Sequence, residues 1–152
     1  MRAESTMTRD VIVAAPDLSL RDAQRIMDAL RIRHLPVVRA GKVVGILSDR
    51  DVLLRTRLDG DTPTVEDTSV EAAMSPCPIS CRPNTTVSWL AETMVSVKID
   101  AVPVVGVDDR LLGIVTSSDL LALLIGPEEE DRILPFNFNL RYIDRSGALA
   151  VA

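Results

Sequence analysis

Gly45-Ile46-Leu47-Ser48-Asp49-Arg50-Asp51 reads as the end of a buried strand running straight into a helix. Ser48 stands where a helix N-cap belongs, and Asp51 follows three residues later. A hydroxyl at the cap and an acid at the third helical position satisfy two orphan N–H groups reciprocally, although Glu or Gln is the better third residue. Alone, that is a structural cap. The stretch returns, however, as Gly113-Ile114-Val115-Thr116-Ser117-Ser118-Asp119. Two copies in equivalent places point further. A helix start with unpaired N–H groups suits an anion, and a carboxylate beside it can accept hydrogen bonds from both hydroxyls of a ribose.

Outward from these motifs the chain repeats. Met7, Pro16, Met27, Ile32, Pro36 and Val37 recur at one constant interval as Met74, Pro83, Met94, Ile99, Pro103 and Val104. Gly45, Ile46, Asp51 and Leu53 recur one residue later than that interval, as Gly113, Ile114, Asp119 and Leu121. The length difference falls in the turn before the motif, where it costs least. Two copies are too few for a solenoid. They predict two halves packed face to face about a pseudo-twofold axis.

In the first half, Val11–Val13 reads as a short strand that stops before Pro16. Ser19 caps a helix, and Leu20, Ala23, Ile26, Met27 and Leu30 share its apolar face. Leu35–Val38 and Val43–Leu47 are strands around a turn at Gly41, and the helix begun by Ser48 runs to about Arg57. Leu58 to Ser69, rich in Asp, Thr, Gly and Pro, reads as an exposed, mobile linker. A turn from Val70 to Met74 opens the second half. There Pro78–Cys81, a Thr86-capped helix carrying Val87, Leu90, Met94 and Val97, strands Val102–Val105 and Leu111–Val115, and a helix over Asp119–Ile125 stopped by Gly126 repeat the order. The implied units are 7–57, a linker 58–73, 74–125 and a tail 126–152. The tail holds an acidic run from Glu128 to Asp131, read as a solvated turn. Phe136, Phe138 and Tyr142 follow, three of the chain's four Phe, Tyr and Trp residues. Alternation of Phe136 and Phe138 predicts a strand-like arm that packs on its own domain or reaches across a dimer.

With 152 residues, the chain is one compact domain or two small halves sharing a core. A hydrophobic fraction of 47% is that of a globular protein. The net charge of −5 and the lack of a basic stripe argue against a nucleic-acid polymer as partner. No apolar run approaches the ~18–20 residues that span a bilayer, and Met1 to Asp10 has no signal-like apolar core. A cytoplasmic protein with no membrane partner is expected. Cys77 and Cys81 on an extended strand would sit ~13 Å apart, beyond the ~7 Å reach of a disulfide. The one histidine, His34, lies in the other half, so no zinc site is expected. No base accompanies Ser48, Asp51 and Asp119 do not form a paired acid and base, and no phosphate-loop or dinucleotide glycine motif occurs. The chain does not read as an enzyme.

Strand, helix, strand, strand, helix, twice over, with Gly-Ile-x-Ser/Thr-x-x-Asp closing each copy, resembles a tandem pair of CBS (cystathionine-β-synthase) domains. The resemblance covers about Met7 to Ile125, leaves only the tail, and so implies a stand-alone CBS pair. Its fold would be α+β, two βαββα repeats packed about a pseudo-twofold axis. It implies two clefts between the repeats that take adenosine-containing ligands such as AMP, ADP, ATP, NAD or S-adenosylmethionine, with no required cofactor. The family's ribose-binding acid maps onto Asp51 and Asp119, and its helix-start hydroxyl onto Ser48 and Thr116. Leu35 and Val102 would pack against adenine. Arg33 and His34, just before the second strand, would meet phosphate. Ser80 holds the place of a ligand-bonding Thr in the first strand, where the first half has Val13.

The halves then differ. Asp100 replaces Arg33, Ala101 replaces His34, and Ser118 stands opposite Arg50. An acid repels phosphate, so the expectation is that the first cleft binds a phosphorylated nucleotide. The second would be weak, empty, or filled by an unphosphorylated nucleoside. The resemblance further implies a regulatory module whose ligand shifts the repeats or subunits, a change read by an effector protein. It also implies a homodimer through the helices: Val52, Leu53 and Leu54 with Leu120, Leu121, Leu123 and Leu124 are more apolar than one core face requires. The alternative is a structural or protein-interaction dimer without a ligand.

Overall fold

Ser19 closes the first turn of α1 (Leu20–Leu30): its hydroxyl accepts from the Asp22 N–H and donates to the Asp22 carboxylate. The computed structural model describes residues 1–125, 141–143 and 149–151. Helix α1 buries Leu20, Ala23 and Met27 and ends at Arg31 with a left-handed φ of 53°. Strands β1 (His34–Arg39) and β2 (Lys42–Ser48) pair antiparallel, with a bulge at Val37/Val38, and β2 feeds α2 (Asp49–Leu54). A hairpin follows, β3 (Thr56–Asp59) and β4 (Thr62–Val65), then a single helical turn, α3 (Val70–Ala73), and the short β5 (Ser75–Pro76). The second half repeats the scheme as α4 (Val87–Val97), β6 (Ala101–Val105), β7 (Leu111–Thr116) and α5 (Ser117–Ala122). Its bulge, at Val104/Val105, occupies the equivalent place. Strands β8 (Arg141–Ile143) and β9 (Leu149–Val151) pair antiparallel in the tail. Phe136, Phe138 and the Gly126 stop lie outside the described residues.

Each half has its own core, and the cores are built from equivalent positions. Ala14, Ala23, Met27, Leu35, Val37 and Leu47 in one match Cys81, Leu90, Met94, Val102, Val104 and Val115 in the other. Cys81 is thus a small core residue in the place of Ala14. Burial pushes its thiol pKa up, opposed in part by a hydrogen bond with Thr85. Cys77 and Cys81 are both free. No described helix is long and apolar enough to cross a membrane.

Three local expectations are corrected. Val11–Val13 and Pro78–Cys81 are not regular strands. Each half makes one parallel bridge there, Ala14 to Val37 and Cys81 to Val104. Pro16 and Pro83, two residues on, lack the N–H that would extend the pairing, and the chain turns into its helix. Helix α2 stops at Leu54, short of Arg57, because Thr56 already belongs to β3. Residues 58–69 are not a plain linker. Asp59-Gly60-Asp61 closes a tight hairpin in which Gly60 takes a φ of 65°.

A fourth correction concerns which half owns which segment. Val70 lies in the core of the first half, and Ala3, its counterpart, lies in the core of the second. Val70 N donates to Leu18 O at 2.8 Å and Glu71 N to Pro16 O at 2.9 Å. Ala3 N donates to Thr85 O at 2.8 Å and Glu4 N to Pro83 O at 3.0 Å. Strand β5 pairs with β2, while Thr8 bridges to Ile114 on β7. The segment preceding each repeat therefore completes the other repeat. Met7 and Met74 each pack over the motif glycine of the opposite copy, Gly113 and Gly45. Hairpin tips also meet across the pseudo-twofold axis: Val43 N donates to Asp109 O at 3.2 Å and Leu111 N to Gly41 O at 3.1 Å.

Candidate functional site

Both helix-start motifs form the capping box expected of them. Asp51 Oδ2 accepts from Ser48 N and from Ser48 Oγ, each at 2.7 Å, while Ser48 Oγ accepts from Asp51 N at 3.2 Å. Asp119 and Thr116 repeat this at 2.7, 2.7 and 3.4 Å. One carboxylate oxygen is committed to the cap in each case. The other, Oδ1, receives no hydrogen bond among the described residues, and Asp51 and Asp119 each line a cleft. The helices that follow have six residues each, so the N-terminal dipole adds little to either site.

Two open clefts lie between the halves. The first, about 510 Å³, joins Ser48, Arg50 and Asp51 of one half to Pro78, Ile79 and the Lys98–Ala101 stretch of the other. The second, about 270 Å³, joins Thr116, Ser118 and Asp119 to Val11, Ile12 and the Arg31–His34 stretch. Each cleft thus sets a cap from one repeat against the pre-strand segment of its partner. Arg33 and His34 border both.

This arrangement alters the expected division of charge. Asp100 and Ala101 face Asp51, in the first cleft, whereas Arg31 and Arg33 face Asp119 in the second. Cationic side chains therefore line both clefts. Local sequence pairs a cap with the segment just before its own strand. Face-to-face packing of the repeats pairs each cap with the segment of the other one, and only in the first cleft with its own as well.

Leu35 and Val102 are fully buried in the two cores and line neither cleft, so neither is free to meet an adenine ring. Ser80 and Val13 are exposed and also line neither. Ile12 and Ile79, exposed at 42% and 39%, supply the apolar walls instead. Sequence reasoning missed them, along with Arg31 and Lys98. The last two are the left-handed residues that end α1 and α4, at φ 53° and 62°, a conformation in which glycine is the usual choice. Basic residues recurring at equivalent places just after the two helices were the signal available.

His34 sits between the clefts, and its pKa is held below the usual 6.5. Burial is the main cause and the Arg33 charge adds to it, while Asp100, Asp49 and Asp51 oppose. A neutral imidazole at neutral pH offers one donor and one acceptor. Among the described residues, no cluster of His, Cys, Asp and Glu is arranged to hold a metal ion.

The sequence model of the CBS domain matches residues 3–56 and 66–126. The chain belongs to the CBS domain family. Both matched ranges begin with the segment that packs across to the other half. The pair is 34% identical over 159 residues to an inosine-5′-monophosphate dehydrogenase of Korarchaeum cryptofilum, covering 98% of this chain and 31% of that one. It therefore spans about a third of that enzyme. The CBS domain-containing protein YhcV of Bacillus subtilis is 32% identical over 120 residues, with 77% of this chain and 81% of YhcV covered. Among solved structures, the CBS domain pair of protein MJ0100, in complex with 5′-methylthioadenosine and S-adenosyl-L-methionine, superposes with a TM-score of 0.71 at 29% identity. That match covers 82% of this CBS pair and 95% of the other.

Proposed function

We propose that this CBS pair is a regulatory module that takes adenosine-containing ligands in the clefts between its repeats. Ligand binding would change how the repeats, or two copies of the chain, sit against each other. The observation that carries this reading is the pair of capping boxes, each built by a cleft-lining aspartate whose Oδ1 receives no hydrogen bond among the described residues. A ribose presents two adjacent hydroxyl donors, and a carboxylate held by its own cap accepts them without reorganising. Ile79 or Ile12 supplies an apolar wall for a purine, and Arg50, Lys98, Arg33 and Arg31 supply cations for phosphate or for a carboxylate. The two adenosine compounds held by the MJ0100 pair support the same ligand class.

Regulation rather than catalysis fits the groups present. Ser48 Oγ donates to Asp51 and accepts from its N–H, so it works as a cap and not as a nucleophile. Binding energy would be passed on by favouring one arrangement of the repeats, which are joined by exchanged segments and by their hairpin tips. A second reading, an interaction module that dimerises without a ligand, draws on exposed leucines at the end of α2 and just beyond α5. Leu54 is 77% exposed and Leu124 is 79% exposed. The two readings share a homodimer and differ in the clefts.

Calorimetric titration with AMP, ATP, NAD and S-adenosylmethionine tests them. Saturable binding that is lost on substituting Asp51 or Asp119 supports the ligand-responsive module. Silence from all four compounds, in protein free of carried-over ligand, overturns it in favour of the interaction module.

A further inference from the structure

A perfect twofold would give each cleft its own copy of every group. The residues between the clefts break that rule. Arg33 and His34 border both, whereas their counterparts Asp100 and Ala101 border only the first. We propose that Arg33 is a single cation shared by the two clefts, so that a phosphorylated ligand in one weakens phosphate binding in the other. This rests on the reading of the clefts as adenosine-ligand sites.

Three observations support sharing. The Arg33 side chain is exposed and makes no hydrogen bond or ion pair among the described residues, so turning it toward either cleft breaks no contact. Each cleft also has a cation of its own, Lys98 in the first and Arg31 in the second, which lets either cleft attract phosphate before Arg33 commits. The second cleft has Ser118 where the first has Arg50, so it depends more on Arg33. A guanidinium binds phosphate through two parallel N–H bonds in one plane. It serves one phosphate at a time in that geometry. A second anion arriving beside it meets a neutralised cation and the charge of the first ligand. By linkage the penalty is the same whichever cleft fills first. An uncharged nucleoside makes no claim on Arg33 and escapes the penalty.

The test compares the second AMP bound by the wild-type chain with AMP bound to the same cleft when the other is disabled. Asp51→Asn disables the first and Asp119→Asn the second, each keeping an acceptor for its cap. Calorimetry with AMP is expected to show the second wild-type step at least about fivefold weaker than the matching single-cleft affinity, within the usual range of coupling between sites. Adenosine is expected to show no such gap, and the gap for AMP is expected to close in an Arg33→Ala background. The proposal is overturned if the wild-type chain binds AMP at both clefts with the single-cleft affinities. A gap that survives Arg33→Ala, or an Asp51→Asn chain that takes no AMP, also overturns it. Absence of binding by both AMP and adenosine would instead sink the adenosine reading, and the coupling with it.

Discussion

Met74 lies so close over Gly45 that a β-carbon at position 45 would collide with its sulfur. The same relation joins Met7 and Gly113, and in both pairs the methionine comes from the segment that precedes the opposite repeat. The motif glycine is therefore needed for contact between repeats. The two sites differ in what must move. The three atoms nearest a β-carbon at Gly45 all belong to the flexible Met74 side chain, whereas one at Gly113 also meets Thr8 O at 2.8 Å, part of the bridge to Ile114. Overpacking of this kind costs about 1–3 kcal/mol. Gly113→Ala is expected to fall at the upper end and Gly45→Ala at the lower, read as the difference in urea unfolding midpoints. Equal losses would mean that the Thr8 backbone yields as easily as a side chain.

Asp51 combines two jobs that substitution can separate. Its Oδ2 holds Ser48, its Oδ1 receives no hydrogen bond among the described residues, and the residue lines the first cleft. Asp51→Ala is expected to cost about 1–2 kcal/mol of stability through the lost charged hydrogen bonds, and to abolish the thermal shift given by AMP in that cleft. Asp51→Asn keeps an oxygen for the Ser48 N–H, so most of the stability is expected to remain while ligand affinity falls. Unfolding curves with and without AMP check both. Retained affinity in the alanine variant would remove the ribose role.

The sequence was legible where information is local. Matching prolines, methionines and glycines marked the repeats, and Ser19, Thr86, Ser48 and Thr116 announced helix starts that the structure confirms. The Asp59-Gly60 turn signal was also present, but surrounding Thr, Pro and Asp suggested a linker. Partnership between segments was not legible. Nothing in the composition of Ala3–Met7 says that it completes the second half, because the decision lies in the packing of Met7 on Gly113. For the same reason Asp100 was assigned opposite Asp119 when it faces Asp51. Leu35 and Val102 illustrate a third limit: strand alternation identifies a buried face but does not separate core from cleft wall.

Arg31 and Lys98 occupy backbone positions that favour glycine. A left-handed conformation costs a side-chain-bearing residue about 1–2 kcal/mol, so the cations are kept against that cost. Arg31→Gly and Lys98→Gly are expected to leave stability unchanged or raised by up to about 1 kcal/mol, after the entropy that glycine loses on folding. Each is expected to weaken phosphorylated ligands in one cleft only, the second for Arg31 and the first for Lys98. Denaturation and AMP titration on the same samples check the trade. A glycine variant with full AMP affinity would reduce these residues to solvated caps.

Leu54 and Leu124 are large apolar side chains left almost bare by the single chain. Neither supports its own core, so changing both to Ser is expected to alter monomer stability by no more than about 0.5 kcal/mol. Sedimentation is expected to show the wild-type chain as a dimer and the doubly substituted chain as a monomer. A wild-type monomer, or a dimer indifferent to both substitutions, would move the subunit contact elsewhere.

His34 connects both clefts to pH. The folded chain disfavours its imidazolium, so the group adds stability in full above its usual pKa of 6.5 and loses it as pH falls toward the lower folded value. Arg33 on one side and Asp49, Asp51 and Asp100 on the other are the charges that face it. His34→Gln is expected to remove this share of the acid-side loss of stability. Anion binding acts in the opposite direction. A phosphate beside His34 favours the charged ring and offsets Arg33, so below pH 6.5 AMP is expected to bind with more proton uptake by the wild-type chain than by His34→Gln. Calorimetry in two buffers of different ionisation heat measures that uptake directly. Adenosine, without the phosphate, is expected to bind with none. Equal proton uptake for the two ligands would place the phosphate away from His34, and an AMP uptake unchanged in His34→Gln would assign the proton to a group other than His34, the AMP phosphate included.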